Sequence, residues 1–584
     1  MTHNQAETLL NAAFDAYNQG DFYLAEENAR AARRLSPYLA DSWYLLGVLA
    51  FRANALESSC DTLYQAVQLD KKNSAYQLML ASVLHKLGRL DEALTYYQKH
   101  PENADALAQI GYIYIQQKKD KEAKEVFKKA LSLNPQHPEA LIGMAVLERK
   151  KEHDQKALEI LKTAPLTGNV AYQLSLQYLQ MKQEKQALEM IQKALSIQES
   201  PAFLVQEGLC QAALNKEQEA EECYQKALKL DRFYAEAHLQ LGHLYLKQKF
   251  PLQAIEEYKR AINENRDCIE AYHALGVVLY QEDQKEMALE YYRKALRICP
   301  TYIPTLYNLA NILREQGVFD EAAGLYVHLL LLPYSPDISV ELGACLLQMQ
   351  DQKMARRFAK GWVKHFPKSK MAIHIDCLLH GKKSAFEKEF AQTFFDAFAD
   401  EYDEKMKQLS VRVIPEMMPL IKTNKEKILL DLGCGTGGIG RELKGQFKKI
   451  VGVDISSKMI QKARQTKAYH QLKTQDILTF LKNATEKYDY ILSADVFCYI
   501  QDLSDIFKEV RACLNQTGEF IFSIETAQKT TQKNGRFLFS IQKIRALLRS
   551  EGFQIKTLKK CLLRKEGDTF AQGVIICAIK NKNT

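Results

Sequence analysis

Residues 428–437 read Ile428-Leu-Leu-Asp431-Leu-Gly433-Cys434-Gly435-Thr-Gly437. The aliphatic run Ile428 to Leu430 has the character of a buried strand. It ends on Asp431 and enters a loop that carries Gly433, Gly435 and Gly437. Glycines at such a turn let the backbone adopt positive φ and let a ligand touch the main chain. The residues that follow predict a helix over 439–444 and a second strand over 450–453 that ends on Asp454. Strand, glycine loop, helix, strand and acid form a nucleotide-binding βαβ unit.

Two nucleotides compete for that unit. Gly433, Gly435 and Gly438 satisfy G-x-G-x-x-G, and Asp454 lies at the distance of a ribose-binding acid, which fits a dinucleotide. Asp431 opposes it, because a carboxylate just before the glycines repels a pyrophosphate and favours a cationic, phosphate-free ligand. The stretch resembles the first motif, D-x-G-x-G-x-G, of the class I AdoMet-dependent methyltransferases. That resemblance implies S-adenosyl-L-methionine as cofactor. It implies that the loop (Asp431, Gly433, Cys434, Gly435, Gly437) packs under the methionine part and that Asp454, with Ile455 beside it, takes the ribose hydroxyls.

Beyond Asp454 helices and strands keep alternating. Helices are predicted at 456–467, 503–514 and 540–550, and strands at 468–474, 488–494 and 519–524. Segments 554–563 and 573–579 predict a closing antiparallel hairpin, absent from ordinary dinucleotide folds. The expected fold is therefore an α/β Rossmann-like domain with a seven-stranded sheet. By resemblance Asp476, with Ile477 beside it, faces the adenine amine. Asp495, at the fourth strand end, is also expected at the cofactor. Asp495, Tyr499 and Glu525 stand at strand ends, where open α/β sheets bind ligands, and are the catalytic candidates, with Arg536 as a further acceptor-orienting residue. His470 is the one histidine after residue 384 and lies near a strand start, so a histidine base is not expected. Upstream, the aromatic segment 390–403 resembles the F-x-x-x-A-x-x-Y-D element that precedes the first strand in methyltransferases, which makes Tyr402 a lid residue.

The first two thirds of the chain are repetitive. Residues 6–369 are self-similar at about 34 residues, in eleven registers that start near 6, 40, 74, 104, 138, 168, 201, 235, 269, 303 and 336. Unit 104–137 carries Leu107, Ile110, Gly111 and Tyr114, then Ala123, Phe127, Ala130 and Pro135. Large apolar residues three and four apart make one stripe on each of two helices, and small residues mark their close crossing. One pair cannot bury its own stripe, so the units stack into an α-solenoid. The pattern resembles the tetratricopeptide repeat, which implies a protein or peptide held in a groove lined by the first helices. The fifth positions, from Tyr44 and Leu78 to Tyr307 and Val340, include no lysine or arginine, so a carboxylate clamp is not expected. His238, His243 and His273 are not expected to hold a metal.

The expected domains are a repeat solenoid over 6–369, a lysine-rich linker over 370–386 and a methyltransferase domain over 387–584. Segments 535–540 and 563–566 resemble a bacterial family of methyltransferases, several of whose members carry such repeats in front. Net charge is +8 over 584 residues, and no run of five basic residues occurs, so nucleic acid is not an expected partner. The 12 cysteines are scattered singly, without a C-x-x-C pair, which points away from metal sites and disulfides and toward a reducing cytoplasm. No apolar run is long enough to span a bilayer, and the N-terminus has no signal-peptide pattern. Two functions follow: a methyltransferase whose repeats recruit a protein partner, with that partner or a small molecule as acceptor, or a repeat scaffold whose methyltransferase-like domain is weak or inactive.

Overall fold

The computed structural model describes residues 2–333, 338–533, 535–566 and 569–581. Two compact units divide the chain, Met1–Ala288 and Leu289–Thr584. In the first unit, eight helix pairs run from Thr2–Asn18 with Phe22–Leu35 to Ala235–Lys247 with Pro251–Glu264, followed by Ile269–Gln281. Each pair closes on a residue with positive φ, among them Gly20, Asn54, Gly88, Lys118 and Glu152, which sets the sharp return between the helices.

The small residues of the repeat make room for a ring or a branched chain from the second helix. A Cβ on Gly111 would stand 2.4 Å from Phe127, one on Gly208 2.3 Å from Tyr224, and one on Gly242 2.5 Å from Tyr258. Phe127, Tyr224 and Tyr258 are fully buried. Burying such a ring contributes roughly 2–3 kcal/mol, so the small-for-large exchange across the crossing holds each pair together. His238 is paired with Glu257 at 2.6 Å, while the His243 ring shares a hydrogen bond with the Tyr258 hydroxyl at 2.9 Å. The donor groups able to hold a metal among the described residues do not include these histidines.

The second unit begins with the last repeat helices. Ile303–Glu315 pairs with Phe319–Leu331 and Ser339–Gln348 with Gln352–His365. The expected start of the eleventh repeat, near 336, lies outside the described residues. Residues 370–379 were expected within a linker but form a helix, Lys370–Leu379, capped by the Ser369 hydroxyl. Its composition is lysine-flanked, yet Met371, Ala372, Ile375, Leu378 and Leu379 make a buried stripe against Gln352–His365 and Ser339–Gln348.

A seven-stranded sheet follows. Its strands are β1 (Asn424–Leu432), β2 (Phe447–Asp454), β3 (Gln471–Thr474), β4 (Tyr488–Ser493), β5 (Leu514–Glu525), β8 (Phe553–Glu566) and β9 (Thr569–Lys580). The order is β3-β2-β1-β4-β5-β9-β8, and β6 (Thr531–Lys533) with β7 (Arg536–Leu538) forms a separate hairpin. The first five strands run parallel, and β9 inserts antiparallel between β5 and β8. The chain reverses direction outward from β1, with β2 on one side and β4 on the other, so a crevice opens above the C-terminal ends of these strands. The hydrophobic runs of β1, β2 and β4 are buried on both faces, as a parallel sheet covered by helices requires.

Candidate active site

The glycine loop begins where β1 ends. Gly433 and Cys434 both donate their backbone N–H to the Val453 carbonyl, at 2.8 and 3.0 Å, which ties the loop to β2. Gly433 (φ +71°) touches the β4 side of the crevice: an added Cβ would meet Val496 at 2.3 Å. Gly435 donates to an Asp454 carboxylate oxygen at 2.8 Å, and Ser456 N–H binds the other at 2.9 Å. Asp454 is thus held by two backbone donors and aimed at the crevice.

A cavity of about 350 Å³ lies above these strand ends. Tyr402, Gly433, Gly435, Asp454, Ile455, Asp476, Ile477, Asp495 and Tyr499 all line it. A wider cavity of about 730 Å³ adjoins it across Tyr402, Gly433, Gly435 and Asp495, and is lined also by Asp431 and Cys434. Gly437 lines neither. It caps the helix Gly438–Glu442 at φ +92° and leaves room for Thr466, Ala463 and Tyr469. Most of the expected site residues therefore meet in one two-lobed cleft.

Glu525 is the exception among the expected catalytic residues. Its carboxylate is buried and paired with Arg564 at 2.5 Å and with Arg536 at 2.6 Å, and it does not line the cleft. Arg536 comes from the separate β6–β7 hairpin and Arg564 from β8, which β9 separates from β5 in the sheet. Arg536 also binds Asp495 and donates to the Tyr499 hydroxyl at 2.9 Å. Two guanidinium groups thus offset the two carboxylates, as buried charges require. Asp495, Cys498 and Glu525 lie close enough to hold a metal, but the guanidinium groups already occupy their charge. Burial pushes the Tyr499 phenol well above its usual range, which keeps it protonated and leaves no phenolate to act as a base.

The buried Asp431 pairs with the half-buried Tyr469. The Tyr469 hydroxyl donates to one Asp431 oxygen at 2.7 Å and accepts from Gly440 N–H at 3.1 Å. The other Asp431 oxygen has no partner among the described residues. Burial, reinforced by nearby Asp454, pushes Asp431 up to about 7. A Cβ on Gly440 or Gly452 would stand 2.3 or 2.8 Å from the Tyr469 ring, so these glycines exist to admit it. Nothing in the sequence around Tyr469 marks it. The signal lies in glycines 17 and 29 residues upstream, and only the fold brings them to the ring.

A lid crosses the cleft. The helices Glu387–Phe398 and Tyr402–Gln408 are held to the strand ends by acids that sequence reading passed over. Asp396 accepts from the Ser456 hydroxyl at 2.6 Å and Asp403 from Thr436 at 2.5 Å. Gln501 N–H binds Glu387 at 3.1 Å, and Lys388 binds Asp476 at 2.7 Å. Phe395 packs edge-on against Tyr499 at 5.1 Å. His470 stands outside the cleft, its ring nitrogen accepting from Ile450 N–H at 3.0 Å.

Sheet order, glycine loop and strand-end acids define a class I methyltransferase fold behind a helical repeat array. The chain matches a methyltransferase domain model over residues 423–557. It matches tetratricopeptide repeat models at several registers, including 104–137, 169–201, 235–268 and 269–302. It joins tetratricopeptide repeats to a C-terminal methyltransferase domain.

A TPR repeat-containing protein of Methanocaldococcus jannaschii is 25% identical over 264 residues, 41% of this chain and 46% of that protein. The malonyl-[acyl-carrier protein] O-methyltransferase of Halalkalibacterium halodurans is 27% identical over 150 residues, 24% of this chain and 55% of that enzyme. The chain thus spans about half the length of these relatives. The crystal structure of magnesium protoporphyrin IX methyltransferase from Synechocystis PCC 6803, with bound SAH, superposes with a TM-score of 0.27 at 17% identity, over 33% of this chain and 100% of that one. No described helix is long and apolar enough to cross a membrane.

Proposed function

We propose that the chain is an S-adenosyl-L-methionine-dependent methyltransferase whose repeats recruit a protein partner, either that partner or a small molecule being the acceptor. The carrying observation is the convergence of Asp454, Asp476, Gly433 and Gly435 on one lid-covered cavity at the β1–β4 strand ends. Those residues fit the cofactor. The loop glycines offer bare backbone, Asp454 is fixed by two N–H donors, and the orphaned oxygen of Asp431 suits a cationic group. S-adenosylmethionine, when bound, supplies a methyl group already activated on a sulfonium.

The chain's own residues then bind, orient and exclude water. Asp454 would hold the ribose, Asp476 the adenine once Lys388 releases it, and Tyr402 with Phe395 would close the cleft. Alignment of the acceptor in a closed, dry site is the main contribution such a reaction needs from its protein. Asp495 lines both lobes and Tyr499 the smaller one, and both are engaged by Arg536. Arg536 thus fixes one Asp495 oxygen and the Tyr499 hydroxyl as orienting groups, an arrangement that suits an acceptor arriving already nucleophilic, such as a thiolate, a carboxylate or a neutral amine. Glu525 orders the arginines and is a positioning residue.

The test is titration of S-adenosylhomocysteine into the full chain, with Asp454→Ala beside it. Micromolar binding lost in the variant is expected. A folded chain that binds nothing returns the domain to the scaffold reading.

A further inference from the structure

The second helix of the last repeat differs from every other second helix in the array. Each of the ten earlier ones carries at least two carboxylates, and five of them spend these on ion pairs within the same helix, as in Arg30–Glu26 and Lys193–Glu189. Gln352–His365 carries none. It presents Lys353, Arg356, Arg357, Lys360 and Lys364, all exposed. Lys353, Arg357, Lys360 and Lys364 fall at helical spacing on one stripe. Arg356 donates to the Leu379 carbonyl at 2.8 Å, and none of the five makes an ion pair among the described residues. Five like charges on 14 residues repel one another, a cost that a surface without function has no reason to keep.

Beside this stripe lies a cavity of about 890 Å³. Its apolar wall is Leu330, Leu331 and Met354, with the buried Trp362 behind them, and its basic wall includes Arg357 and Lys360. Leu331 is 51% exposed, as the last residues of other second helices such as Leu133 and Leu230 also are, but here it stands beside the basic stripe. The one carboxylate in the lining, Asp351, is spent capping the helix through Lys353 N–H and Met354 N–H. The cavity is formed by second helices, so it is not the first-helix groove expected from the repeat pattern.

We propose that this groove docks an acidic amphipathic helix of a protein partner. Lys353 to Lys364 are eleven residue steps apart, or about 16 Å of helix. A partner helix with carboxylates three and four apart matches that stripe and places its own apolar face on Leu330, Leu331 and Met354, the last 36% exposed. A nucleic acid strand fits less well, because Trp362 is only 3% exposed and offers no open ring face on which a base could stack. The next helix, Lys370–Leu379, packs its His374 ring on Phe390 of the lid at 4.4 Å. A partner seated here is therefore one helix away from the cleft.

The experiment measures binding of a labelled Glu/Leu amphipathic peptide of about 16 residues to the full chain by fluorescence anisotropy. Its companions are a Lys/Leu peptide of the same pattern, a Glu/Ser peptide and a single-stranded oligonucleotide. The Glu/Leu peptide is expected to bind in a salt-sensitive manner and to quench or shift Trp362 emission in a Trp43→Phe background. Arg357→Glu with Lys360→Glu is expected to weaken it at least about tenfold, with circular dichroism unchanged because both side chains are exposed. Equal binding by the charge-reversed chain, equal binding of the Lys/Leu or Glu/Ser peptide, or tighter binding of the oligonucleotide would overturn the proposal. Peptide binding needs no cofactor, so titration of S-adenosylhomocysteine into the same variant separates a failed groove from a failed methyltransferase reading.

Discussion

At the scale of single residues, the cleft is governed by carboxylates whose partners decide what they can do. Asp431 is raised to about 7 by burial, and binding of a cationic ligand favours its ionised form. Affinity for S-adenosylhomocysteine, which carries an ammonium, should therefore rise as pH increases through about 7 and level off above it. Asp431→Asn should flatten that profile, and calorimetry at several pH values reads both. The sign for folding is opposite. The folded chain holds a proton on Asp431 that the unfolded chain releases, so this group's contribution to stability is present at low pH and is lost as pH rises toward 7. Tyr469→Phe removes the hydrogen bond that lowers Asp431, so the midpoint of the binding profile should move upward, with a destabilisation of about 1–2 kcal/mol. An unchanged midpoint would show that Tyr469 does not tune the acid. The positions of Asp431, Asp454 and Asp476 at the crevice were legible because each stands within two residues of a strand end, at a recognisable spacing. Glu525 was misread for a physical reason: Arg536 and Arg564 reach it from hairpins later in the chain, and no local pattern announces a buried ion pair across a sheet edge.

At the scale of elements, the lid is held by polar anchors rather than by a core of its own. The helix Glu387–Phe398 has no fully buried residue, and its rings Phe390, Phe394 and Phe398 stack on one another along one face. Phe395 reaches Tyr499 from that helix. Phe395→Ala should speed dissociation of S-adenosylhomocysteine by severalfold in stopped-flow measurements while leaving the strand-end acids in place. An unchanged off-rate would mean that the helix does not gate the cleft. The aromatic pattern made this helix visible in sequence, whereas its anchors, Asp396 to Ser456 and Asp403 to Thr436, join residues 60 and 33 positions apart and needed the fold. The helix Lys370–Leu379 was hidden by its lysine-rich flanks, although the spacing of Met371, Ile375, Leu378 and Leu379 already described an amphipathic stripe.

At the scale of the whole molecule, the last repeats and the methyltransferase sheet share one compact unit. His374 and Leu378 of the repeat side, with Phe390, Phe395 and Phe537, enclose a small space behind Tyr499. A fragment cut at residue 384 removes His374 and Leu378 from that contact, so it should melt lower than the full chain and hold S-adenosylhomocysteine more weakly. Equal affinity in fragment and full chain would show that the repeats do not support the site. The repeat architecture was readable because its period imposes the same small-for-large exchange at Gly111, Gly208 and Gly242, whereas the close packing of the final helix on the lid has no periodic signal. That the strand-end acids form a cofactor site is tested by titration of S-adenosylhomocysteine and, separately, NADH into the full chain. Micromolar binding of S-adenosylhomocysteine alone, abolished by Asp454→Ala, is the predicted result. Binding of NADH in its place, or of neither by a folded chain, would contradict it.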